Sequence, residues 1–165
     1  MTDEPHITTL PERPYVAIAA TVGMDELATV VPPLNGEVFG WLAARGIAPA
    51  GPPLWRYNVI DMARGLELEA GVPVAEAVAG DGRVIAGVLP AGRYVVTRHV
   101  GHPDELLAAT GALLDWAAEK GLTWDVSPSP TGDRWGARLE FYHTDPAVEP
   151  DMTKWETELV FRLAD

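Results

Sequence analysis

One stretch of the chain carries the pattern on which the fold depends: Arg134-Trp135-Gly136-Ala137-Arg138-Leu139-Glu140-Phe141-Tyr142-His143-Thr144-Asp145-Pro146. Residues 137–143 alternate in polarity and include aromatic side chains, which predicts a β-strand. Asp145-Pro146 ends this strand, because the residue before a proline is driven out of regular pairing and proline has no N–H to donate. Side chains two positions apart share a face, so the strand has two sets: Arg138, Glu140 and Tyr142 on one face, and Leu139, Phe141 and His143 on the other.

The two faces of this strand have different expected roles. Leu139, Phe141 and His143 are expected to face the core, whereas the other face places the carboxylate of Glu140 beside the phenol of Tyr142. A carboxylate on an inner strand next to aromatic rings could anchor a ligand. It could equally be a solvated charge on an open face of the sheet, and this stretch alone is compatible with both interpretations.

Composition narrows the class of protein. The chain has 165 residues and an apolar content of 47%, enough for a globular domain with a core of its own. Acidic residues outnumber basic ones by 24 to 12, for a net charge of −12. This balance opposes direct nucleic-acid binding, which needs a basic surface, and is compatible with cationic partners.

Several kinds of chemistry are not expected. The chain has no cysteine, which excludes disulfides, thiolate catalysis and cysteine metal sites. His99 and His102 are too few for a zinc site, so neither a metal nor a cofactor is predicted. Residues 1–14 lack a signal-peptide pattern, and no apolar run of about 20 residues would cross a membrane. A cytoplasmic protein without membrane association is therefore expected.

The predicted elements follow one another twice. Residues 1–13 are predicted to be a loose lead-in to a single domain over 14–165, and a Ser-Pro loop is predicted over 127–133. Strands are predicted at about 15–22, 54–60, 66–74, 84–89, 92–97, 137–143 and 155–163. Helices are predicted at about 34–45, after an interruption at Pro32-Pro33, and at about 103–120.

Matching residues at constant spacing show that this second series of elements repeats the first. Tyr15 and Tyr94 are 79 positions apart (94 − 15), and so are Asp25-Glu26-Leu27 and Asp104-Glu105-Leu106. Trp41 and Trp116 are 75 apart (116 − 41), as are Gly46 and Gly121. With the extra residues placed at Pro32-Pro33, the halves are about 14–78 and 92–163, and the segment Leu54-Trp55-Arg56-Tyr57 aligns with Leu139-Glu140-Phe141-Tyr142.

The repeat predicts an α+β fold of duplicated strand-helix-strand-strand modules, each with a helix on an antiparallel sheet. A duplication of this kind creates a groove between the two copies. In the alignment Trp55 takes the place of Glu140, and Tyr57 the place of Tyr142. We therefore predict that these four side chains lie on equivalent faces and share an aromatic cleft.

The chain as a whole resembles the GyrI-like small-molecule-binding domains, members of the SOUL or effector-binding superfamily. The likeness covers about residues 14–163, and the ordered set of motifs carries it more than any one of them. These motifs are Leu89-Pro90-Ala91-Gly92-Arg93-Tyr94, Val100-Gly101-His102-Pro103, Trp116, Leu139-Glu140-Phe141-Tyr142-His143-Thr144-Asp145-Pro146 and Thr157-Glu158-Leu159. Because the first predicted strand begins close to Met1, the stand-alone form is expected rather than a fused transcription regulator.

The resemblance implies a ligand cleft at a pseudo-twofold axis. It implies that Glu140 faces cationic or polarised ligands and that aromatic side chains line the cleft, with Trp55, Tyr57, Tyr142 and Trp155 as the best candidates. Further candidate binding residues are Met152, as an adaptable edge, Trp135, as a rim, and Phe39.

Three functions are compatible with these features. The first is a binding protein that holds bulky, flat, hydrophobic and often cationic molecules between aromatic walls. The second is a hydrolase of strained electrophiles such as cyclopropane-bearing genotoxins, with Glu140 as general acid or base and Tyr142 or Tyr57 polarising the departing group. The third is a gyrase-interacting protein whose acidic surface imitates DNA, although the acidic residues are spread along the chain and not clustered.

Overall fold

The computed structural model describes residues 2–165, in which the helices and strands follow one another in two similar series. The strands are β1 (His6–Leu10), β2 (Arg13–Val22), β3 (Leu54–Asp61), β4 (Gly65–Pro73), β5 (Val84–Leu89), β6 (Gly92–Val100), β7 (Val126–Ser129), β8 (Gly132–Trp135), β9 (Arg138–Tyr142) and β10 (Glu156–Arg162). The helices are α1 (Leu27–Val30), α2 (Pro32–Ala44) and α3 (Leu106–Glu119), with short 3₁₀ turns at Pro103–Glu105 and Met152–Lys154.

All these strands belong to one curled, antiparallel half-barrel sheet. Its main path runs β1-β6-β10-β9-β3-β4-β2-β5, and the β7–β8 hairpin joins it at β3. The path is symmetric about the β9–β3 junction, because each half continues outward through two strands of its own module. An additional strand closes each outer edge: β5 beside β2, and β1 beside β6.

The pairing of β3 with β9 has the register that the sequence repeat requires. Trp55 lies directly opposite Glu140, and Arg56 lies opposite Leu139. A twofold axis through the middle of the Trp55–Glu140 pair exchanges the two antiparallel strands. It superposes each residue of β3 on the residue 85 positions later in the chain (140 − 55), so Tyr57 superposes on Tyr142. The α+β fold of duplicated modules with antiparallel sheets is confirmed.

A row of directly paired residues crosses the sheet and shows where the helices lie: Ile18, Ala70, Trp55, Glu140 and Leu159. Residues paired in this way share a face, so all five point to the same side. Ile18 belongs to the core cluster of α2, and Leu159 to that of α3. The two helices therefore cover the same face, one on each half, and Trp55 and Glu140 lie midway between them.

The opposite face of the sheet has its own core. Leu139 and Phe141 are buried there with Tyr15, Leu54 and Tyr94, as predicted for the apolar face of β9. The prediction was wrong for His143, which lies just beyond the end of β9 and is exposed. Glu140, on the other face of the same strand, is only 8% exposed. The interpretation of Glu140 as a solvated charge on an open sheet is therefore wrong, because the helices on either side cover that face.

Three local predictions were wrong, each for a reason of pairing or backbone chemistry. His6–Leu10, expected to be part of a loose lead-in, pairs with β6 and covers an otherwise open edge. Pro32 and Pro33 begin α2 rather than interrupt it, since the first helical turn needs no N–H donor. The expected loop at 127–133 contains the β7–β8 hairpin, where Pro128 is tolerated because β7 is an edge strand.

The ends of the two main helices match in both halves. Gly46 follows α2 with φ of 67°, and Gly121 follows α3 with φ of 69°. Glycine takes this left-handed conformation without a steric penalty, which makes it the usual residue after a helix end. As to membranes, none of the helices in residues 2–165 is long and apolar enough to span one.

Candidate functional site

Glu140 is the centre of a buried hydrogen-bonded cluster. Its Oε1 accepts hydrogen bonds from the phenol of Tyr142 at 2.6 Å and from the phenol of Tyr57 at 3.0 Å. Tyr142 lies two positions along β9, and Tyr57 lies two positions beyond Trp55 on β3, so both reach the carboxylate from the same face. No group within residues 2–165 donates to the other carboxylate oxygen, Oε2.

Trp55 covers this cluster. Its ring lies edge-to-face on Tyr142, with centroids 5.0 Å apart and an interplanar angle of 69°. Its ring centroid is 6.5 Å from that of Tyr57. The structure thus brings together four of the predicted residues, Glu140, Tyr142, Trp55 and Tyr57. Their arrangement follows directly from the register of β3 and β9.

Asn35 positions the indole of Trp55, and sequence reasoning missed it. This side chain is buried on α2, and its Oδ1 accepts the indole N–H of Trp55 at 2.7 Å. Its Nδ2 donates to the carbonyls of Leu54, at 3.3 Å, and Gly71, at 3.2 Å. A signal existed in the sequence: Asn35 lies three and seven positions before Val38 and Leu42, which places an amide on the apolar face of the helix.

Arg138 occupies the same face of β9, two positions before Glu140. Its guanidinium carbon lies 4.8 Å from the ring centroid of Trp135 and 4.7 Å from that of Phe161. Trp124 completes this second aromatic group, with ring centroids 5.8 Å from both Trp135 and Phe161. Burial lowers the pKa of Arg138, and the negative charge of Glu140 raises it.

Electrostatics at Glu140 reflect opposing effects. Burial raises the pKa of Glu140, while the hydrogen bonds from Tyr142 and Tyr57 and the charge of Arg138 act to lower it. Burial, followed by the negative charge of Glu140, raises the pKa of each tyrosine well above its ordinary value, so both phenols stay protonated donors. The cluster therefore presents a partly desolvated acid with an uncommitted oxygen between aromatic rings.

The other predicted site residues lie apart from this cluster. Trp135 packs with Trp124 and Phe161, and Phe39 packs on α2 against the core between helix and sheet. Trp155 precedes β10 in extended conformation, so alternation places it on the same face as Thr157, the strand neighbour of Tyr142. Its indole N–H donates to the carbonyl of Glu149 at 2.7 Å, while Met152 lies in the turn just before it.

The cluster is closed in this structure. Glu140 and Tyr57 are each only 8% exposed, because the surrounding side chains fill the space between them. Two open grooves, of about 250 and 480 Å³, lie elsewhere and share Thr21, Val59 and Glu67 in their walls.

Residues 3–164 match the sequence model of the GyrI-like small-molecule-binding domain, which is nearly the whole chain. The chain belongs to the GyrI-like family. A comparison of this GyrI-like domain with curated protein sequences finds no match.

Solved structures share the fold of this GyrI-like domain. The C-terminal domain of EcmrR aligns with a TM-score of 0.75 at 18% identity, covering 98% of both chains. Against the EcmrR chain in a complex with DNA, the same fold spans 57% of that chain. The structure of SAV2435 bound to tetraphenylphosphonium aligns with a TM-score of 0.64 at 11% identity, covering 98% of this chain and 94% of that one. A hydrolase from Listeria innocua aligns with a TM-score of 0.63 at 15% identity, covering 98% and 92%.

Glu140→Gln should raise the free energy of unfolding of the ligand-free protein at neutral pH. A carboxyl whose pKa is raised by burial binds protons more tightly in the folded state, so its contribution to stability falls as the pH rises through the raised pKa. The gain over the wild type should shrink as the pH is lowered toward the ordinary carboxyl range. Urea denaturation of both proteins at neutral and mildly acidic pH measures this, and a gain that does not depend on pH would contradict it.

Proposed function

We propose that this GyrI-like domain binds bulky hydrophobic cations at the Glu140 cluster. The observation that carries the proposal is a buried carboxylate that keeps one oxygen uncommitted while two phenols hold the other. The charged form of an acid that is mostly removed from water is costly unless it is paired. A cationic ligand that reaches Oε2 would supply the missing partner.

The aromatic side chains favour the same class of ligand. Ring faces attract cations, and the attraction grows where water is excluded. Tyr57 and Tyr142 donate to the carboxylate, and the ring centroid of Trp55 lies 6.5 and 5.0 Å from theirs. The tetraphenylphosphonium bound by SAV2435, a protein of the same fold, is a hydrophobic cation of this kind. Trp155 and Met152 are proposed to lie at the rim of the same site.

Calorimetric titration with two phosphorus compounds of similar shape tests this proposal. Methyltriphenylphosphonium carries a positive charge, and triphenylphosphine oxide replaces its methyl group by oxygen and is neutral. We expect saturable binding of the cation at one site per chain, at least about tenfold tighter than that of the neutral compound, the scale of one charge-assisted contact. Equal affinities, or no binding of the cation, would contradict the proposal.

A hydrolase is the second candidate. The observation in its favour is that two phenols converge on an acid whose pKa is raised by burial, which makes Glu140 a possible proton donor to a strained ring. Incubation with a cyclopropane-bearing alkylating agent, followed by mass spectrometry, would show a product heavier by one water if the domain hydrolyses it. If the reagent is bound but chemically unchanged, the hydrolase function is excluded and binding is the only function that remains.

A further inference from the structure

The guanidinium of Arg138 contacts aromatic rings but, within residues 2–165, no hydrogen-bond acceptor. It is partly buried between the rings of Trp135 and Phe161, at 4.8 and 4.7 Å from their centroids. Within residues 2–165 it forms no ion pair within 4.0 Å, and its N–H groups donate no hydrogen bond. The rings of Trp135 and Phe161 thus hold the guanidinium in place, while its N–H groups have no acceptor in the part of the chain that the structure describes.

Two other partly buried arginines of the same sheet, Arg162 and Arg56, are different, whereas Arg13 resembles Arg138 in lying over a ring, that of Phe141. Arg162 donates to the carboxylates of Asp125 and Asp165 and to the carbonyl of Ala91. Arg56 donates to the phenol of Tyr15 and to two backbone carbonyls. Such arginines hold elements together through hydrogen bonds. Arg138 lacks these bonds, and its N–H groups are not buried, so they remain open to a ligand that approaches from solvent.

The position of Arg138 relates it to Glu140. The two residues occupy alternate positions on the same face of β9, and Phe161 and Leu159 lie opposite them on β10. Alternate residues of a strand are about 7 Å apart. The face that carries the uncommitted oxygen of Glu140 thus also carries the guanidinium of Arg138, on a residue whose Cα is about 7 Å away along the strand.

We propose that Arg138 is a specificity-determining residue of the Glu140 site, and that the ligand is a zwitterion. Its cationic centre would pair with Glu140, and a carboxylate or similar acceptor on the same molecule would accept hydrogen bonds from Arg138. A zwitterion should bind more tightly than a ligand with only a cation, because its acceptor pairs with Arg138 and offsets the repulsion between the two positive charges. This inference rests on the proposed cation-binding function and narrows its ligand class.

Two dyes that differ in one functional group test the inference. Rhodamine B carries a cationic ring system and a carboxylate, whereas its ethyl ester keeps the cation and loses the negative charge. Fluorescence-anisotropy titration of the wild type should give rhodamine B the higher affinity by about tenfold or more, the scale of a charge-assisted contact. Arg138→Gln should remove this preference, chiefly by weakening binding of rhodamine B.

Arg13→Gln is the matched control. Arg13 also lies over an aromatic ring, that of Phe141 at 5.1 Å, but Phe141 faces the opposite side of β9. This variant should keep the wild-type ratio of the two affinities. A wild type that prefers the ester, or an unchanged ratio in Arg138→Gln, would overturn the role of Arg138 and leave cation binding in place. If neither dye binds, both the cation-binding function and the role of Arg138 are overturned. If Arg138→Gln does not fold, the ratio of the two affinities in the wild type still tests the preference for the zwitterion.

Discussion

Glu140→Gln should weaken binding of methyltriphenylphosphonium by between about 30-fold and 3,000-fold, the range measured for removing one partner of a buried charge pair. Affinity for the neutral triphenylphosphine oxide should change much less. The substitution keeps the volume of the side chain and its place beside Tyr57 and Tyr142, and it removes only the charge. The comparison of the two compounds therefore separates charge from shape.

The pH dependence of binding gives a second measure of the same interaction. Burial raises the pKa of Glu140 in the free protein, and a bound cation should lower it by favouring the charged form. Affinity for the cation should therefore fall as the pH drops through the raised pKa, because the protonated acid no longer attracts it. The neutral compound and the Glu140→Gln protein should show no such fall. Titrations in two buffers with different heats of ionisation would also detect the proton released on binding.

Glu69→Gln is the matched control for this experiment. Glu69 is as buried as Glu140, at 8% exposure, and also accepts a hydrogen bond from a tyrosine, Tyr15, at 2.6 Å. It points to the opposite face, because its strand neighbour Arg56 lies between Trp55 and Tyr57 on β3. Cation affinity should survive this change. Equal losses in both glutamine variants would show that Glu140 is not the charge anchor.

Asn35→Ala should lower the free energy of unfolding by about 2–4 kcal/mol, as expected when buried polar groups lose their partners. The amide of Asn35 serves three groups: the indole N–H of Trp55 and the carbonyls of Leu54 and Gly71. Alanine satisfies none of them and leaves a space between α2 and the sheet. Urea denaturation measures the loss, and the tryptophan fluorescence of the folded protein should change because the ring of Trp55 is no longer held.

The other asparagine of the chain provides the comparison. Asn58 is half-buried and donates one hydrogen bond, to Oε2 of Glu69. Asn58→Ala should cost about 1 kcal/mol, the value of a single typical bond. If both variants lose the same stability, or if Asn35→Ala leaves the tryptophan emission unchanged, then Asn35 does not hold Trp55 in place.

Much of this fold could be read from local patterns. The alternation around Glu140 predicts a strand with two faces, and the spacing of the tyrosines and tryptophans predicts two copies of one module. The alternation of side chains along a strand and the repeated order of elements can both be read from the order of residues, without knowledge of tertiary contacts. The grouping of Trp55, Tyr57, Glu140 and Tyr142 follows from them once the two central strands pair in register.

Other features depended on the tertiary structure. The sequence left open whether Glu140 is buried, because that depends on which face α2 and α3 cover. The amide of Asn35 reaches Trp55 and Gly71 on strands far from it in the chain, and the guanidinium of Arg138 lies over Phe161 on a different strand; no local spacing specifies such contacts. The same holds for Trp135 and Phe39, whose residue type suits a binding site as well as a core. The register of β3 and β9 decides which aromatic rings surround the carboxylate. The packing of the helices on the sheet decides that this carboxylate is buried, because residue type alone does not say which aromatic side chains belong to a core and which to a binding site.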